Sequence, residues 1–269
     1  MTPIELLFER SGLPTYGIQA PLAVRYGGDF GLARPGLYAN FVASVDGIVA
    51  LPGPRDSGQV ISGANEPDRF VMALLRATAD AVIIGAGTFR KMKGAFLRAE
   101  AIFPEARKGF ADLRRKLGLR VHPLLVVVTG SGRIAPSQPA LGDALIVTTP
   151  AGERNLRGKL PPGARVAVLE SAPFASRSLT KLLAAEGLEV LLAEGGPSLV
   201  GPLLRDGLVD ELFLTSSPLL FGRMAGSRRK TLVDGVDLGG RALDLLSVRR
   251  HQSHLFLRYR VLGAPNPPT

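Results

Sequence analysis

Four short stretches carry residues whose types and spacing could do chemistry. Residues 81–90, AVIIGAGTFR, run from an apolar segment into Gly85, Gly87 and Thr88. Glycines let a ligand approach the backbone, Thr88 can cap a following helix, and a helix start favours an anion. Residues 190–199, VLLAEGGPSL, repeat the design with Gly195, Gly196, Pro197, Ser198 and Leu199. Pro197 suits a first helical position. Two such turns in one sheet could hold both ends of a dinucleotide. Glu194, just before the glycines, would repel a phosphate, so it faces a ribose hydroxyl or a substrate nitrogen donor, unless it only serves the helix start. The third stretch is Thr129-Gly-Ser-Gly-Arg133. Thr129, Ser131 and Arg133 suit the 2′-phosphate that distinguishes NADPH from NADH, with a plain turn as the alternative. The fourth, residues 43–47 with Ser44 and Asp46, is either part of a site or an Asp-Gly turn. None of them is the G-x-G-x-x-G fingerprint.

The elements that must position these residues read as alternating strands and helices. Leu37–Ala43, Ala81–Ile84, Leu124–Val128, Leu145–Thr148, Val166–Leu169, Val190–Ala193 and Glu211–Thr215 are apolar runs of strand length. Such runs suit strands buried on both faces of a mostly parallel sheet. Helical spacing marks Phe70–Thr78, Glu105–Leu117, Leu179–Glu186 and Ser198–Arg205. Leu245–Arg249 and Leu255–Arg260 alternate apolar and polar residues, predicting an antiparallel hairpin at the sheet edge. The expected fold is a three-layer α/β domain with a mixed sheet. Residues 1–36 read as an extension packed on a domain of 37–269, opening with a helix-like Ile4, Leu6 and Leu7.

Composition removes several classes. There is no cysteine, which excludes disulfides, zinc–thiolate sites and cysteine nucleophiles. His122, His251 and His254 are too scattered for a metal site, and the last two are expected at the surface. No apolar run reaches the roughly 18–20 residues of a membrane span. Glu5, Glu9 and Arg10 interrupt any signal-peptide core, so the cytoplasm is expected. The net charge of +10 fits a basic, soluble surface or attraction of phosphorylated small molecules. It argues little for nucleic acid, because no segment interleaves Lys or Arg with aromatics.

Taken in order, NFVASVDG (40–47), LLRATADAVIIGAGTFR (74–90), VVVTGSGRI (126–134), LLAEGGPSLVGPLL (191–204) and LVDELFLTSSPLLFG (208–222) resemble the reductase domain of the riboflavin-biosynthesis deaminase/reductase, a relative of dihydrofolate reductase. The resemblance implies a dihydrofolate reductase-like fold, a homodimer, and NADPH-dependent reduction of the ribose of a phosphoribosylamino-pyrimidine. It places Val42, Ser44, Thr88 and Gly195–Leu199 at the cofactor. It places Arg76 and Glu194 at the substrate, with Asn40, Asp46 and Ser62, and makes Asp68 a candidate acid beside Glu194. Asn40 stands where the family usually has a lysine, and FRKMKGAFLRAE follows Thr88 in place of the family's aspartates, proline and arginine. Lys91, Lys93 and Arg98 add positive charge near the expected cleft. Reduction of a pterin, with Asp68 as proton source, and a non-catalytic nucleotide-binding module are the alternatives.

Overall fold

The structure is a computed structural model that describes residues 2–92, 98–170 and 175–263. Its first half contains β1 (Glu5–Glu9), α1 (Ala20–Tyr26), β2 (Gly36–Ser44), β3 (Ile48–Ala50), α2 (Ser57–Ile61), α3 (Glu66–Thr78), β4 (Ala81–Gly85), α4 (Ala86–Lys91), α5 (Ala99–Ile102) and α6 (Arg107–Lys116). The second half adds β5 (Leu124–Thr129), β6 (Leu145–Thr148), α7 (Pro150–Leu156), β7 (Arg165–Val168), α8 (Ser176–Ala185), β8 (Val190–Ala193), α9 (Pro197–Arg205), β9 (Glu211–Ser217), β10 (Lys230–Thr231), β11 (Leu243–His251) and β12 (His254–Val261).

Ten strands form one sheet in the order β1-β11-β12-β9-β2-β8-β4-β5-β6-β7. From β9 to β7 the neighbours are parallel, while β12 meets β9, β11 meets β12 and β1 meets β11 antiparallel. Side chains alternate across each strand. Leu37, Ala39, Phe41 and Ala43 of β2 therefore pack with Leu179, Leu183 and Val200 of α8 and α9. Tyr38, on the opposite face, packs with Phe70 and Leu74 of α3. The result is helices on both faces, as the apolar runs predict. In such sheets a ligand crevice lies at the carboxyl ends of the parallel strands, where the connections diverge. Ser44, Gly85, Thr129 and Ala193 all end strands at that edge.

Helix α3 lies over that edge and is fixed at both ends. Asn65 caps its start by accepting from the Asp68 N–H at 2.9 Å. At its other end the buried Arg114 guanidinium donates to the carbonyls of Arg76, Ala77 and Ala79 at 3.0, 3.3 and 2.9 Å. These are the carbonyls a helix end leaves without intrahelical partners. Among the described residues no helix is long and apolar enough to cross a membrane.

Two expectations fail. The N-terminal segment is not helical: Glu5–Glu9 is a strand, with Glu5, Leu6, Phe8 and Glu9 paired to Arg250, Arg249, Val248 and Ser247. Three consecutive apolar residues have no helical repeat, and the extended form carries Glu9 to the buried Arg249, 2.5 Å away. Ile4, Leu22, Tyr26 and Phe30 enter the main core, so residues 2–35 belong to the packing of the sheet. Gly27 permits this passage. It sits at φ +77, and a Cβ there would stand 2.3 Å from the Ile4 carbonyl oxygen. His251 and His254 are half-buried in the hairpin instead of lying on the surface, because the hairpin turn packs against the segment before α3.

A paired substitution tests whether this segment is structural. Ile4, 1 % exposed, should lose about 2–4 kcal/mol of unfolding free energy on change to Ala. Leu6→Ala, on the exposed strand, should stay within about 0.5 kcal/mol. Urea unfolding distinguishes them. Equal small effects would make residues 2–35 an appendage.

Candidate active site

Three glycine-bearing turns lie side by side because β8, β4 and β5 are neighbours in the sheet. The Glu194–Leu199 turn joins β8 to α9, the Gly85–Thr88 turn joins β4 to α4, and the Thr129–Arg133 turn follows β5. The Gly85 N–H donates to the Gly195 carbonyl at 3.2 Å, and the Glu194 N–H to the Ile83 carbonyl at 3.0 Å. A Cβ on Gly195 would stand 2.9 Å from Thr88 Cγ2 and Oγ1, so only glycine fits while Thr88 keeps its place. Gly196, at φ +76, turns the chain into α9, which starts with Pro197. Arg90 of α4 donates to the Arg133 carbonyl and links the second turn to the third. The third turn is itself held by the end of β6, by α7 and by a bond of its own. Thr148 donates to the Thr129 carbonyl at 2.6 Å, Asn155 to the Ser131 carbonyl at 2.9 Å, and Thr129 accepts from the Gly132 N–H at 3.1 Å. Ser131 and Arg133 are exposed.

A second group of residues gathers under α3. Val42 and Asn40 lie on the α3 face of β2, and Glu194 continues that face from β8. Arg76 Nε donates to Glu194 Oε2 at 2.6 Å, with both side chains only 4 % exposed. Asn40 Nδ2 donates to the other carboxylate oxygen at 3.4 Å, and Arg76 Nη2 lies 3.4 Å from Met72 Sδ. Burial raises the pKa of Glu194, while the charge and hydrogen bond of Arg76 oppose the rise. Asp68, in the first turn of α3, makes no such ion pair among the described residues, and only the charge of the exposed Arg69 acts on it from nearby. Burial pushes its pKa up to about 6, a hydrogen bond from Thr215 of β9 works against the rise, and the Glu194 charge adds to it. One carboxyl is held by a guanidinium, and the other is poised to keep a proton close to neutrality.

The remaining expected site residues are engaged in building the cleft. Ser44 donates to Asp46 at 2.5 Å and accepts from the Ile48 N–H at 3.0 Å. Asp46 is exposed and accepts from the N–H groups of Phe221 and Gly222 at 3.3 and 2.6 Å, fixing the loop after β9. These bonds, the Ser44 hydroxyl first, hold its carboxyl below the ordinary range. Ser62 is buried, donates to the Gln59 carbonyl at 3.3 Å, and offers its own carbonyl to His254. Lys91 donates to the Leu51 carbonyl at 2.8 Å. Ser198 is exposed and accepts from Lys230 at 2.9 Å. Gly87 is exposed on α4 and Leu199 half-buried in the first turn of α9. Arg98 is exposed, and Lys93 lies outside the described residues.

Sequence reasoning missed Thr215, Asn65, His254 and Ser217. The signal for Thr215 and Ser217 was available, since both break an apolar strand on the parity of the buried Phe213. The Ser217 hydroxyl is buried at the end of β9 without a hydrogen-bond partner. Such an atom, beside a cleft whose backbone turns are open to a ligand, fits a site that receives a polar group. Among the described residues no three or more His, Asp or Glu side chains gather as a metal site.

A mostly parallel sheet with glycine turns aligned at its carboxyl edge is an architecture in which nucleotides are commonly held, here completed by an antiparallel hairpin and two carboxyls beneath α3. The profile of the family described as RibD C-terminal domain matches residues 35–257, and the chain belongs to that family. It is 28% identical over 206 residues to the 2,5-diamino-6-ribosylamino-4(3H)-pyrimidinone 5′-phosphate reductase of Archaeoglobus fulgidus, covering 75% of this chain and 87% of that one. In fold it is similar to a pyrimidine reductase-like protein from Corynebacterium diphtheriae, with a TM-score of 0.70, 24% identity and coverage of 85% and 92%. It is also similar to RibD of Acinetobacter baumannii, with a TM-score of 0.63 and 18% identity, covering 90% of this chain and 60% of that one.

The Arg76–Glu194 pair should dominate the stability of this region. Removing one partner of a buried ion pair costs about 3–5 kcal/mol, because the other charge stays desolvated. Arg76→Met should show a loss of that size in urea unfolding at pH 8. A loss under about 1 kcal/mol would mean that Glu194 is protonated and needs no cation.

Proposed function

We propose that this protein is an NADPH-dependent reductase acting on a phosphorylated aminopyrimidine, reducing its ribosyl group to ribityl as in riboflavin biosynthesis. The observation that supports this most is the division of labour between its two buried carboxyls. Where neighbouring acids have their pKa values pushed apart, their environments assign acid and base roles. Asp68, with a pKa of about 6, can hold a proton and deliver it to a nitrogen or oxygen on the substrate. Glu194, ionised by Arg76, accepts hydrogen bonds and suits the amino and ring N–H groups of an aminopyrimidine. The relative's name, a phosphate reductase of a ribosylaminopyrimidinone, supports the same substrate class. The exposed Arg69, next to Asp68 in the first turn of α3, offers a cation for the phosphate.

NADPH supplies the hydride when bound. The residues that would hold it are the row of turns, Gly85, Gly87, Thr88 and Gly195–Leu199, with Val42 and Ser44 flanking them. Thr129, Ser131 and Arg133 end the row, and the exposed Ser131 and Arg133 can meet a 2′-phosphate. The work of the chain is to hold the two reactants close, exclude water and keep one proton at Asp68 Oδ. A pterin reductase is the second reading, favoured by the same carboxyl. The protein is read as cytoplasmic and homodimeric.

The discriminating assay follows NADPH oxidation with the phosphorylated pyrimidine, its dephosphorylated form and dihydrofolate, in the presence of chelator. The phosphorylated pyrimidine should turn over best and NADPH should outperform NADH. The required proton is lost as pH rises, so kcat should fall about tenfold per unit above about pH 6. Asp68→Asn should lower kcat by about 10²–10⁴. The folded-state pKa of Asp68 is raised, so its stabilisation is full below the unfolded value and lost as pH rises through about 6. The Asn variant should therefore be no less stable than wild type at pH 8. A wild-type rate in that variant removes Asp68 from the chemistry. Preference for dihydrofolate installs the second reading, and no turnover of any of the three sinks the enzyme assignment.

Assembly is tested separately. Light scattering at micromolar concentration should give twice the 28.4 kDa chain mass. A monomeric mass would remove the homodimer.

A further inference from the structure

Asp68 is placed by the first turn of α3, and that turn is placed by a chain of three hydrogen bonds that passes through a histidine and ends on the Ser62 carbonyl. His254, the first residue of β12, has Nε2 at 3.0 Å from the Ser62 carbonyl oxygen. A carbonyl can only accept, so Nε2 carries the proton and the neutral ring presents Nδ1 as an acceptor. Nδ1 lies 3.2 Å from Asn65 Nδ2, which donates to it. This fixes the orientation of the Asn65 amide and turns its Oδ1 to the Asp68 N–H at 2.9 Å. Every donor in the chain meets an acceptor.

We propose that His254 is a positioning residue for Asp68, acting through Asn65, and that only its neutral form can do so. A proton on Nδ1 would face the Asn65 NH₂, donor against donor. Turning the amide over to accept that proton would aim the NH₂ at the Asp68 N–H and uncap the helix. Neither arrangement satisfies all three groups, so protonation loosens the turn that carries the carboxyl. Burial lowers the pKa of His254, the Ser62 hydrogen bond works against that, and the neighbouring His251 across the hairpin adds to the lowering, so the neutral ring is favoured. His251 accepts or donates in a bond of 2.6 Å to the Thr2 hydroxyl. Glu66, Asp68 and Arg69 are the charged groups of the first turn of α3, and Ser62 supplies only its carbonyl. The inference rests on the reading of Asp68 as the proton-holding group, but its geometry does not require turnover.

NMR titration of the intact protein tests it without an assay. In wild type the Asn65 side-chain amide signals should move with the imidazole titration, and the Asp68 carboxyl should titrate near pH 6. His254→Gln can donate from its nitrogen to Ser62 and accept from Asn65 with its oxygen. It should leave Asp68 titrating as in wild type and abolish the acid transition of the Asn65 amide. His254→Leu keeps bulk and loses both bonds, so Asp68 should become solvated and titrate at least one unit lower. The proposal is overturned if the Asn65 amide ignores the imidazole, or if Gln and Leu leave Asp68 alike. Should the Leu variant not fold, the Asn65 amide in wild type and the Gln variant still decides. With activity in hand, the wild-type rate should fall on the acid side and that fall should vanish in His254→Gln. If Asp68 moves as described but no substrate is reduced, the positioning stands and the functional reading alone fails.

Discussion

The burial of Glu194 is the constraint around which the cleft is built. A carboxylate removed from water needs a counter-charge and hydrogen bonds, and a lone one would take up a proton instead. Arg76 meets that need only if α3 crosses β8 at the right height, so the ion pair fixes helix and sheet relative to one another. Arg114 secures the other end of this arrangement by binding three carbonyls at the close of α3. With the helix held there, its first turn hangs over β9, and Asp68 comes within reach of Thr215. The position of the second acid is thus a consequence of satisfying the first.

The same pair sets the charge of the side chains gathered under α3. Arg76 is 4 % exposed and its Nε is spent on Glu194, so this arginine presents little charge to a ligand. The group of side chains under α3 is then acidic and amide-bearing, from Glu194, Asn40 and Asp68. A lysine at position 40 would add a second cation against Glu194. Asn40 supplies a neutral donor at 3.4 Å instead, and leaves the Glu194 field free to raise the pKa of Asp68.

Much of the architecture was legible because buried parallel strands are unambiguous when glycine or proline bounds them. Val190–Ala193 and Leu145–Thr148 are found at their observed limits, and the hairpin follows from its period of two. The glycine turns were legible for the same reason, since a strand that runs into two glycines and a helix has few other readings. What the sequence hid was set by contacts between distant segments. The strand Glu5–Glu9 pairs with residues some 240 positions away, and its five exposed residues carry no alternation of burial to betray it. His254 and Asn65 are separated by 189 residues, so no local pattern joins them. The short strands Ile48–Ala50 and Lys230–Thr231 exist only because each supplies the other's hydrogen bonds.

The site residues divide along the same line. Those read from a turn, such as Thr88 and Gly195, owe their position to the adjacent strand and helix, which are local. Asp46 is expected at the site from its Asp-Gly segment and the family resemblance, and Ser62 from the resemblance alone. In the fold, hydroxyl and carboxylate are consumed by backbone groups, Asp46 by the loop at Phe221 and Gly222 and Ser62 by the turn at Gln59. A polar side chain next to a cleft satisfies the backbone first, because an unpaired N–H or carbonyl that folding has desolvated costs more than a ligand contact returns. Glu194 and Asp68 escape this fate. Their partners are side chains from other elements, an arginine and a threonine, and a side-chain partner can change its contacts without undoing the sheet.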